Sequence, residues 1–148
     1  MSASRPAAVL FACNMNSIRS PMAAALARRR FGKWLHVESC GVMAGMADPF
    51  AEFVMDELGV DMSGHEAKAF EDLEENNFDL IISLTQEADL RAKEITKGLS
   101  VETEFWPIPD PTMEAGSRER RLEAFRALRD DLDRRIAARF ADLSTNPL

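Results

Sequence analysis

The sequence predicts an α/β fold of three layers, in which a doubly wound, four-stranded parallel sheet carries helices on both faces. Short apolar runs alternate with amphipathic segments in the order strand, helix, strand, helix, strand, helix, strand, loop, helix. This alternation is typical of parallel sheets. The unbroken apolar run Leu80, Ile81, Ile82 indicates a strand covered on both faces. The chain has 148 residues, a length that fits a single domain over residues 1–148.

The first strand and helix are predicted from an apolar run and the polar stretch that follows it. Residues 7–12 have strand character, and residues 13–17 are mostly polar. Ser20 followed by Pro21 is typical of an N-cap and a first helical residue, so we expect an alanine-rich helix from there to Arg30. Residues 35–39 form the second strand candidate.

The middle of the chain predicts two helices around the third strand. Asp48 and Pro49 open the first of them, and Gly59 is the residue expected to end it. Residues 79–84 contain the apolar run of the third strand. Residues 86–97 are predicted to form the next helix, which ends at Gly98.

The last third of the chain predicts an edge strand, an irregular loop and a long helix. Residues 101–106 alternate between apolar and polar side chains, as an edge strand does. Prolines at 107, 109 and 111 are expected to exclude regular structure from the loop. Residues 118–143 form an amphipathic helix whose inward face is expected to hold Leu122, Phe125, Leu128, Leu132, Ile136 and Phe140.

Composition excludes several classes of function. The net charge of −7 argues against nucleic acid as a partner, because binding to a phosphate backbone needs a basic surface. No apolar run is long enough for a membrane span, and residues 1–6 do not resemble a signal peptide. We therefore expect a cytoplasmic protein without membrane partners. Its two cysteines are too few for a disulfide framework or a structural zinc site, so neither a metal nor a cofactor is expected.

Residues 13–20 are the candidate functional site. A strand that turns through a short polar loop into a helix directs backbone N–H groups toward one point, where they form a cradle for an anion. Arg19 follows Cys13 after five intervening residues, and its guanidinium is suited to hold two oxygens of a tetrahedral oxyanion such as phosphate. The same positive field favours the thiolate form of Cys13, and Ser20 is placed to donate a hydrogen bond to that sulfur.

The segment resembles the phosphate-binding loop of the low-molecular-weight protein tyrosine phosphatases and their arsenate reductase relatives. Three further motifs extend the resemblance over nearly the whole chain. Ser39 with Gly41 is similar to the family's Ser-x-Gly turn after the second strand, and residues 59–68 resemble its segment with a serine, a histidine and a basic residue. Trp106 followed by Asp110 and a proline resembles the acid loop.

The resemblance implies a role for each matching residue. Cys13 would be the nucleophile, Arg19 the oxyanion clamp and Asp110 the general acid. His65, together with Ser39 and Asn16, would support the loop in its strained shape. The other residues expected to bind phosphate are Asn14, Met15, Asn16, Ser17, Ile18 and Ser20.

The sequence departs from the family at three places. Met15 stands where the family usually has glycine, so the loop is expected to lose backbone freedom at positive φ. Ile18 replaces a cysteine that is common in the phosphatases, which excludes a protective disulfide with Cys13. Thr112 and Met113 stand where phosphatases typically carry tyrosines, and the chain has no tyrosine at all.

Three functions remain open at this point. The first is hydrolysis of phosphomonoesters, including a phosphoprotein as candidate substrate, through a phosphocysteine. The second is arsenate reduction with Cys13 and an external thiol partner. An external thiol would be needed because we expect Cys40 in the turn after the second strand, a poor place for a relay thiol. The third is a catalytically weak protein that binds phosphate or a phosphopeptide.

Overall fold

A central sheet of four parallel strands organises the molecule. The computed structural model describes residues 6–74 and 77–145, and within them the strands are β1 (Ala8–Cys13), β2 (His36–Gly41), β3 (Leu80–Ser83) and β4 (Glu102–Phe105). Their order across the sheet is β2-β1-β3-β4, and every neighbouring pair is parallel. The predicted fold class is confirmed, and β4 lies at an edge as its alternating pattern predicted.

Helices connect the strands and cover both faces of the sheet. In the described part of the chain the α-helices are α1 (Arg19–Phe31), α2 (Pro49–Asp56), α3 (Gln86–Ile95), α4 (Arg118–Arg139) and α5 (Ala141–Thr145). Short 3-10 helices span Phe70–Asp72 and Pro111–Met113. The second of these begins in the segment from which the prolines were expected to exclude regular structure. Because Pro111 is its first residue, the missing N–H costs no hydrogen bond.

The alternation of side chains along β1 separates two hydrophobic clusters. Val9, Phe11 and Cys13 pack in the larger cluster, together with residues of α1, α2 and α4. Leu10 and Ala12 point to the opposite face and pack with residues of α3. Residues one apart on a strand face opposite sides of the sheet. All six side chains predicted for the inward face of the last helix are buried: Leu122, Phe125, Leu128, Leu132, Ile136 and Phe140.

The prediction of Ser20 as the N-cap of α1 is wrong. The helix begins at Arg19, two residues before the predicted first residue Pro21. Ile18 occupies the cap position, and no side chain caps it. The Ser20 hydroxyl instead contacts the sulfur of Cys13. By contrast, Asp48 caps α2 as predicted, because its Oδ1 accepts hydrogen bonds from the N–H groups of Phe50 (2.8 Å) and Ala51 (3.3 Å).

Two further expectations need correction. The single helix predicted over residues 118–143 is divided at Phe140, where φ is −110° and the helical geometry is lost. The Phe140 ring packs edge-on against Phe31, with ring centroids 5.8 Å apart. Cys40 lies inside strand β2, where it pairs with Ala12, and not in the turn that follows.

Two expectations concerned a signal peptide and a membrane span. Of the N-terminal segment interpreted as lacking a signal peptide, only Pro6 is among the described residues. No helix within residues 6–74 and 77–145 has both the length and the apolar character needed to cross a membrane.

Candidate active site

The loop between β1 and α1 winds around the sulfur of Cys13. The thiol is buried, with 2% of the residue exposed, and Ser20 approaches it twice from the far end of the loop. The Ser20 backbone N–H donates to Sγ at 3.4 Å, and the Ser20 Oγ lies 2.9 Å from Sγ. Within the described residues, the backbone N–H groups of residues 14–18 donate to no protein acceptor. They are therefore available to hold an anion in front of the sulfur.

The hydroxyl of Ser20 has two acceptors for its single proton. One is Sγ of Cys13 and the other is the carbonyl oxygen of Cys40, at 3.1 Å. When the sulfur is a thiol, it donates to Ser20 Oγ, and the hydroxyl proton goes to Cys40. When the sulfur is a thiolate, the same proton turns to Sγ, since a charged acceptor makes the stronger bond. The Ser20 hydroxyl can thus bond to the sulfur of Cys13 whether that sulfur is a thiol or a thiolate.

Asn16 carries the strained part of the loop. Among the described non-glycine residues it alone has a positive φ, of 54°. Its buried side chain donates through Nδ2 to the hydroxyl oxygens of Ser20 (2.9 Å) and Ser39 (3.0 Å). Its Oδ1 accepts from the backbone N–H of Lys68 (2.9 Å), and its carbonyl oxygen bonds to Nε2 of His65 (2.8 Å). Ser20 beside the loop, Ser39 in β2 and the segment of residues 65–68 therefore fix this conformation, and both Ser39 and His65 contact Asn16 directly.

The position of the positive φ corrects the expectation for Met15. The left-handed conformation falls on Asn16 and not on Met15, so a methionine at this position creates no backbone strain. Its side chain is 43% exposed. Ser17 bonds only weakly within the loop, to the Met15 carbonyl at 3.4 Å, and Ile18 packs against the larger core cluster.

Gly41 lets β2 approach the loop closely. A Cβ atom at this position would lie 2.7 Å from the Asn16 nitrogen and 2.9 Å from the Asn14 carbonyl oxygen. Both are backbone atoms of the loop, so they cannot move aside cheaply. The chain beyond Gly41 continues the contact, because Met43 N–H donates to Asn14 O (2.9 Å) and Gly45 N–H donates to Met15 O (2.8 Å).

Arg19 connects the loop to the segment that carries Asp110. Its Nη1 donates to the carbonyl oxygen of Ile108 at 2.9 Å, across 89 residues of sequence. A guanidinium has five N–H donors, and in the described part of the chain Ile108 takes one of them, so others can hold oxyanion oxygens. The segment is also fixed to β3, since Trp106 N–H donates to Ser83 O (2.8 Å) and Ile108 N–H to Leu84 O (3.2 Å).

The carboxylate of Asp110 is held by Thr112. Its Oδ1 accepts from the Thr112 backbone N–H at 2.9 Å and from the Thr112 hydroxyl at 2.7 Å. Partial burial acts to raise the pKa of Asp110, but these two bonds and the positive charge of Arg19 together lower it below its ordinary value. The side chain is therefore ionised near neutral pH.

A cleft of about 510 Å³ brings the sequence-predicted residues Asn14, Arg19 and Asp110 together with Thr85. Sequence reasoning missed Thr85, whose hydroxyl donates to Asn14 Oδ1 at 2.7 Å. The only local signal for it was its place between an apolar strand and a helix, where an N-cap residue is expected. The methionines near the loop are exposed on the surface, Met43 at 59% and Met113 at 80%.

This geometry agrees with the comparison of the chain with known families. The family model of the low molecular weight phosphotyrosine protein phosphatases matches residues 8–147. The chain belongs to this family. The resemblance inferred from the loop, the Ser-x-Gly motif and the acid loop is therefore confirmed.

Two relatives by sequence are arsenate reductases. A glutaredoxin arsenate reductase of Synechocystis is 30% identical over 137 residues, which cover 92% of this chain and 98% of that protein. An arsenate reductase of Bacillus subtilis is 30% identical over 86% of this chain and 91% of the relative.

Solved structures represent both branches. An arsenate reductase in the phosphate binding state matches with a TM-score of 0.76 and 28% identity, over 93% of this chain and 98% of that one. A protein tyrosine phosphatase matches with a TM-score of 0.72 and 26% identity, over 95% and 97%. An enzyme of the phosphatase and arsenate reductase type is thus confirmed, whereas the choice between hydrolysis and reduction depends on the chemistry of the site.

Proposed function

We propose that this protein hydrolyses phosphomonoesters through a phosphocysteine intermediate. The observation that carries the proposal is the position of Arg19, which follows Cys13 after five intervening residues and bonds to the segment that carries Asp110. Cys13, Arg19 and Asp110 are the three groups this reaction requires, and the chain contains all of them. Hydrolysis needs no further protein and no cofactor.

In the first half of the reaction the Cys13 thiolate attacks phosphorus. The S–P bond forms as the bond from phosphorus to the ester oxygen breaks, and Arg19 and the loop N–H groups hold the three remaining oxygens. Asp110 gives its proton to the leaving oxygen. Since Thr112 and Arg19 lower the pKa of Asp110, the protonated form needed here is favoured by acidic solution.

In the second half a water molecule releases phosphate. Asp110, now a carboxylate, takes a proton from the water as its oxygen attacks phosphorus. The S–P bond breaks, and the electron pair returns to the sulfur. Ser20 stabilises the thiolate that leaves, because its hydroxyl and its backbone N–H both reach Sγ.

Arsenate reduction with an external thiol is the second candidate, favoured by relatives at 30% identity that are named arsenate reductases. In this reaction the Cys13 thiolate displaces one oxygen of arsenate as water, and an As–S bond forms. A thiol of a small molecule or of a partner protein then attacks the Cys13 sulfur. The new S–S bond leaves two electrons on arsenic, and arsenite departs. Asp110 serves here as the acid for the displaced oxygen.

Parallel assays separate the candidates. Hydrolysis of phenyl phosphate and arsenate-dependent oxidation of glutathione plus glutaredoxin are measured for wild type, Cys13→Ser, Asp110→Asn and the control Cys40→Ala. Hydrolysis that Cys13→Ser abolishes and Asp110→Asn lowers by roughly 10²–10⁴ supports the phosphatase. Arsenate reduction without hydrolysis would replace it with the reductase. Phosphate binding without either activity would leave a phosphate-binding or phosphopeptide-binding protein.

A further inference from the structure

Asn14 and Thr85 form a polar pair in the cleft that also contains Asp110. Thr85 is 7% exposed, and its hydroxyl makes two hydrogen bonds. It donates to Asn14 Oδ1 at 2.7 Å, and it accepts from the N–H of Ala88 at 3.1 Å as the N-cap of α3. The hydroxyl therefore joins the phosphate-binding loop to the start of a helix.

These two bonds determine which way the Asn14 amide faces. Thr85 has one hydroxyl proton, and Asn14 Oδ1 is its acceptor. If the amide turned by 180°, Nδ2 would face Thr85, and the hydroxyl proton would lose that acceptor. The amide carbonyl is thus directed to Thr85, and Nδ2 is directed away from it. Within residues 6–74 and 77–145, Nδ2 of Asn14 has no hydrogen-bond acceptor.

The place of Asn14 in the cleft determines which part of the substrate its Nδ2 donor meets. Asn14 directly follows the nucleophile and lines the cleft with Arg19 and Asp110. Arg19 and the loop N–H groups hold the oxygens that stay on phosphorus. Asp110 protonates the oxygen that leaves, so the cleft beside Asp110 receives the leaving group. A donor in this cleft meets the leaving group and not the cradled oxygens.

We propose that Asn14 is a specificity-determining residue whose Nδ2 donates a hydrogen bond to an acceptor oxygen on the leaving group, with Thr85 as the residue that positions it. The inference rests on the phosphomonoester binding proposed above. The substrate class is then phosphate monoesters whose alcohol carries an acceptor oxygen close to the ester oxygen. A purely hydrocarbon leaving group covers the Asn14 amide without offering it a hydrogen-bond acceptor. Burial of an unpaired donor weakens binding.

Equilibrium binding of two matched phosphonates tests this inference without any need for turnover. (2-Methoxyphenyl)methylphosphonate has an acceptor oxygen beside the position of the ester oxygen, and (2-ethylphenyl)methylphosphonate has the same size without it. Calorimetry gives both Kd values for wild type, Asn14→Leu, Thr85→Val and Thr85→Ser. The ratio of the two Kd values within one protein is independent of the fraction of that protein that is folded.

The ratio has a definite expected value in each variant. Wild type binds the methoxy compound roughly three- to tenfold more tightly, the effect of one hydrogen bond. Asn14→Leu brings the ratio close to one, and Thr85→Val lowers it, because Val matches the shape of Thr without its hydroxyl. Thr85→Ser keeps the hydroxyl and retains the wild-type preference. A merely structural Thr85 would weaken both compounds equally.

Four results would decide against one or both proposals. A wild-type ratio near one, or an unchanged ratio in Asn14→Leu, overturns the role of Asn14. If wild type shows the ratio but does not hydrolyse phenyl phosphate, the proposed hydrolysis fails and the inference stands. If wild type binds neither phosphonate nor inorganic phosphate, both fail.

Discussion

Cys13 and Cys40 lie on neighbouring strands but on opposite faces of the sheet. Cys13 pairs with Gly41 and Cys40 pairs with Ala12, so the two cysteines are one residue out of register. Cys13 packs in the cluster formed with α1, α2 and α4, and Cys40 in the cluster formed with α3. Their sulfurs are thus separated by the backbone of the sheet. That Cys40 is a poor relay thiol stays a prediction, whereas its predicted location in the turn was wrong.

We therefore predict that oxidation forms no disulfide between the two cysteines. Hydrogen peroxide is expected to oxidise Cys13, while Cys40 remains a thiol, because burial raises the pKa of Cys40 far above its ordinary value and leaves little thiolate to react. Intact-mass and peptide mass spectrometry after graded oxidation measure this. An intramolecular disulfide, seen as a loss of two hydrogens from the intact mass, would contradict the prediction.

Gly41→Ala is predicted to disrupt the phosphate-binding loop. The added methyl group would meet three backbone oxygen and nitrogen atoms within 2.9 Å, two of them in the loop. We expect at least tenfold weaker binding of inorganic phosphate and a loss of stability of about 1–3 kcal/mol, the usual cost of overpacking. Calorimetry and urea unfolding measure the two effects. Gly64→Ala is the control, since a Cβ there meets nothing within 4 Å; equal effects of both substitutions would exclude the steric explanation.

Two substitutions of Asn16 separate the backbone from the side chain. Both Asn16→Gly and Asn16→Ala remove the amide bonds to Ser20, Ser39 and Lys68. Only alanine is also strained by the positive φ of 54°, because glycine adopts this conformation readily. Asn16→Ala is therefore expected to be less stable than Asn16→Gly by about 1 kcal/mol in urea unfolding. Equal stabilities would mean that the loop relaxes to negative φ once the side-chain bonds are gone.

Thr112 is predicted to set the pH range of hydrolysis. The acid must be protonated, so kcat/KM for phenyl phosphate falls as the pH rises through the pKa of Asp110. Thr112→Val removes the hydroxyl bond and keeps the backbone one, which raises the pKa of Asp110. The falling limb of the pH profile then moves to higher pH, and Thr112→Ser restores it. A limb that stays in place in Thr112→Val would show that Asp110 does not control it.

Glu57 is predicted to make stability sensitive to acid. Hydrogen bonds from Arg126 and then from Arg129 lower the pKa of Glu57 to about 2. A lowered pKa adds stability above the unfolded pKa, and that stability is lost as the pH falls from about 5 to about 2. In Glu57→Gln the free energy of unfolding should decline less over this interval. Urea unfolding at several pH values measures this decline. An equal decline in wild type and Glu57→Gln would refute the role of Glu57.

The features predicted correctly from sequence were those determined by local pattern. The periodicity of apolar residues gave the alternation of strands and helices, and the alternating pattern of residues 101–106 gave the edge strand. The spacing of Cys13 and Arg19 identified the loop. Asp48 was recognised as a cap because its partners are two and three residues away.

The features that were missed depend on contacts between distant residues. Ser20 has the residue type of an N-cap, but contact with the buried sulfur of Cys13 overrides that preference. Asn16 accepts the positive φ because of partners up to 52 residues away. Thr85 donates a hydrogen bond to Asn14 across 71 residues of sequence, and no local sequence pattern indicates such a pair.

The bond from Arg19 to Ile108 also bears on how this loop can evolve. Its acceptor is a main-chain carbonyl, which every amino acid supplies. Substitutions at position 108 therefore leave the acceptor in place. Side chains around Asp110, the proposed acid, can therefore change over generations, while Arg19, the proposed oxyanion clamp, continues to anchor the same stretch of backbone.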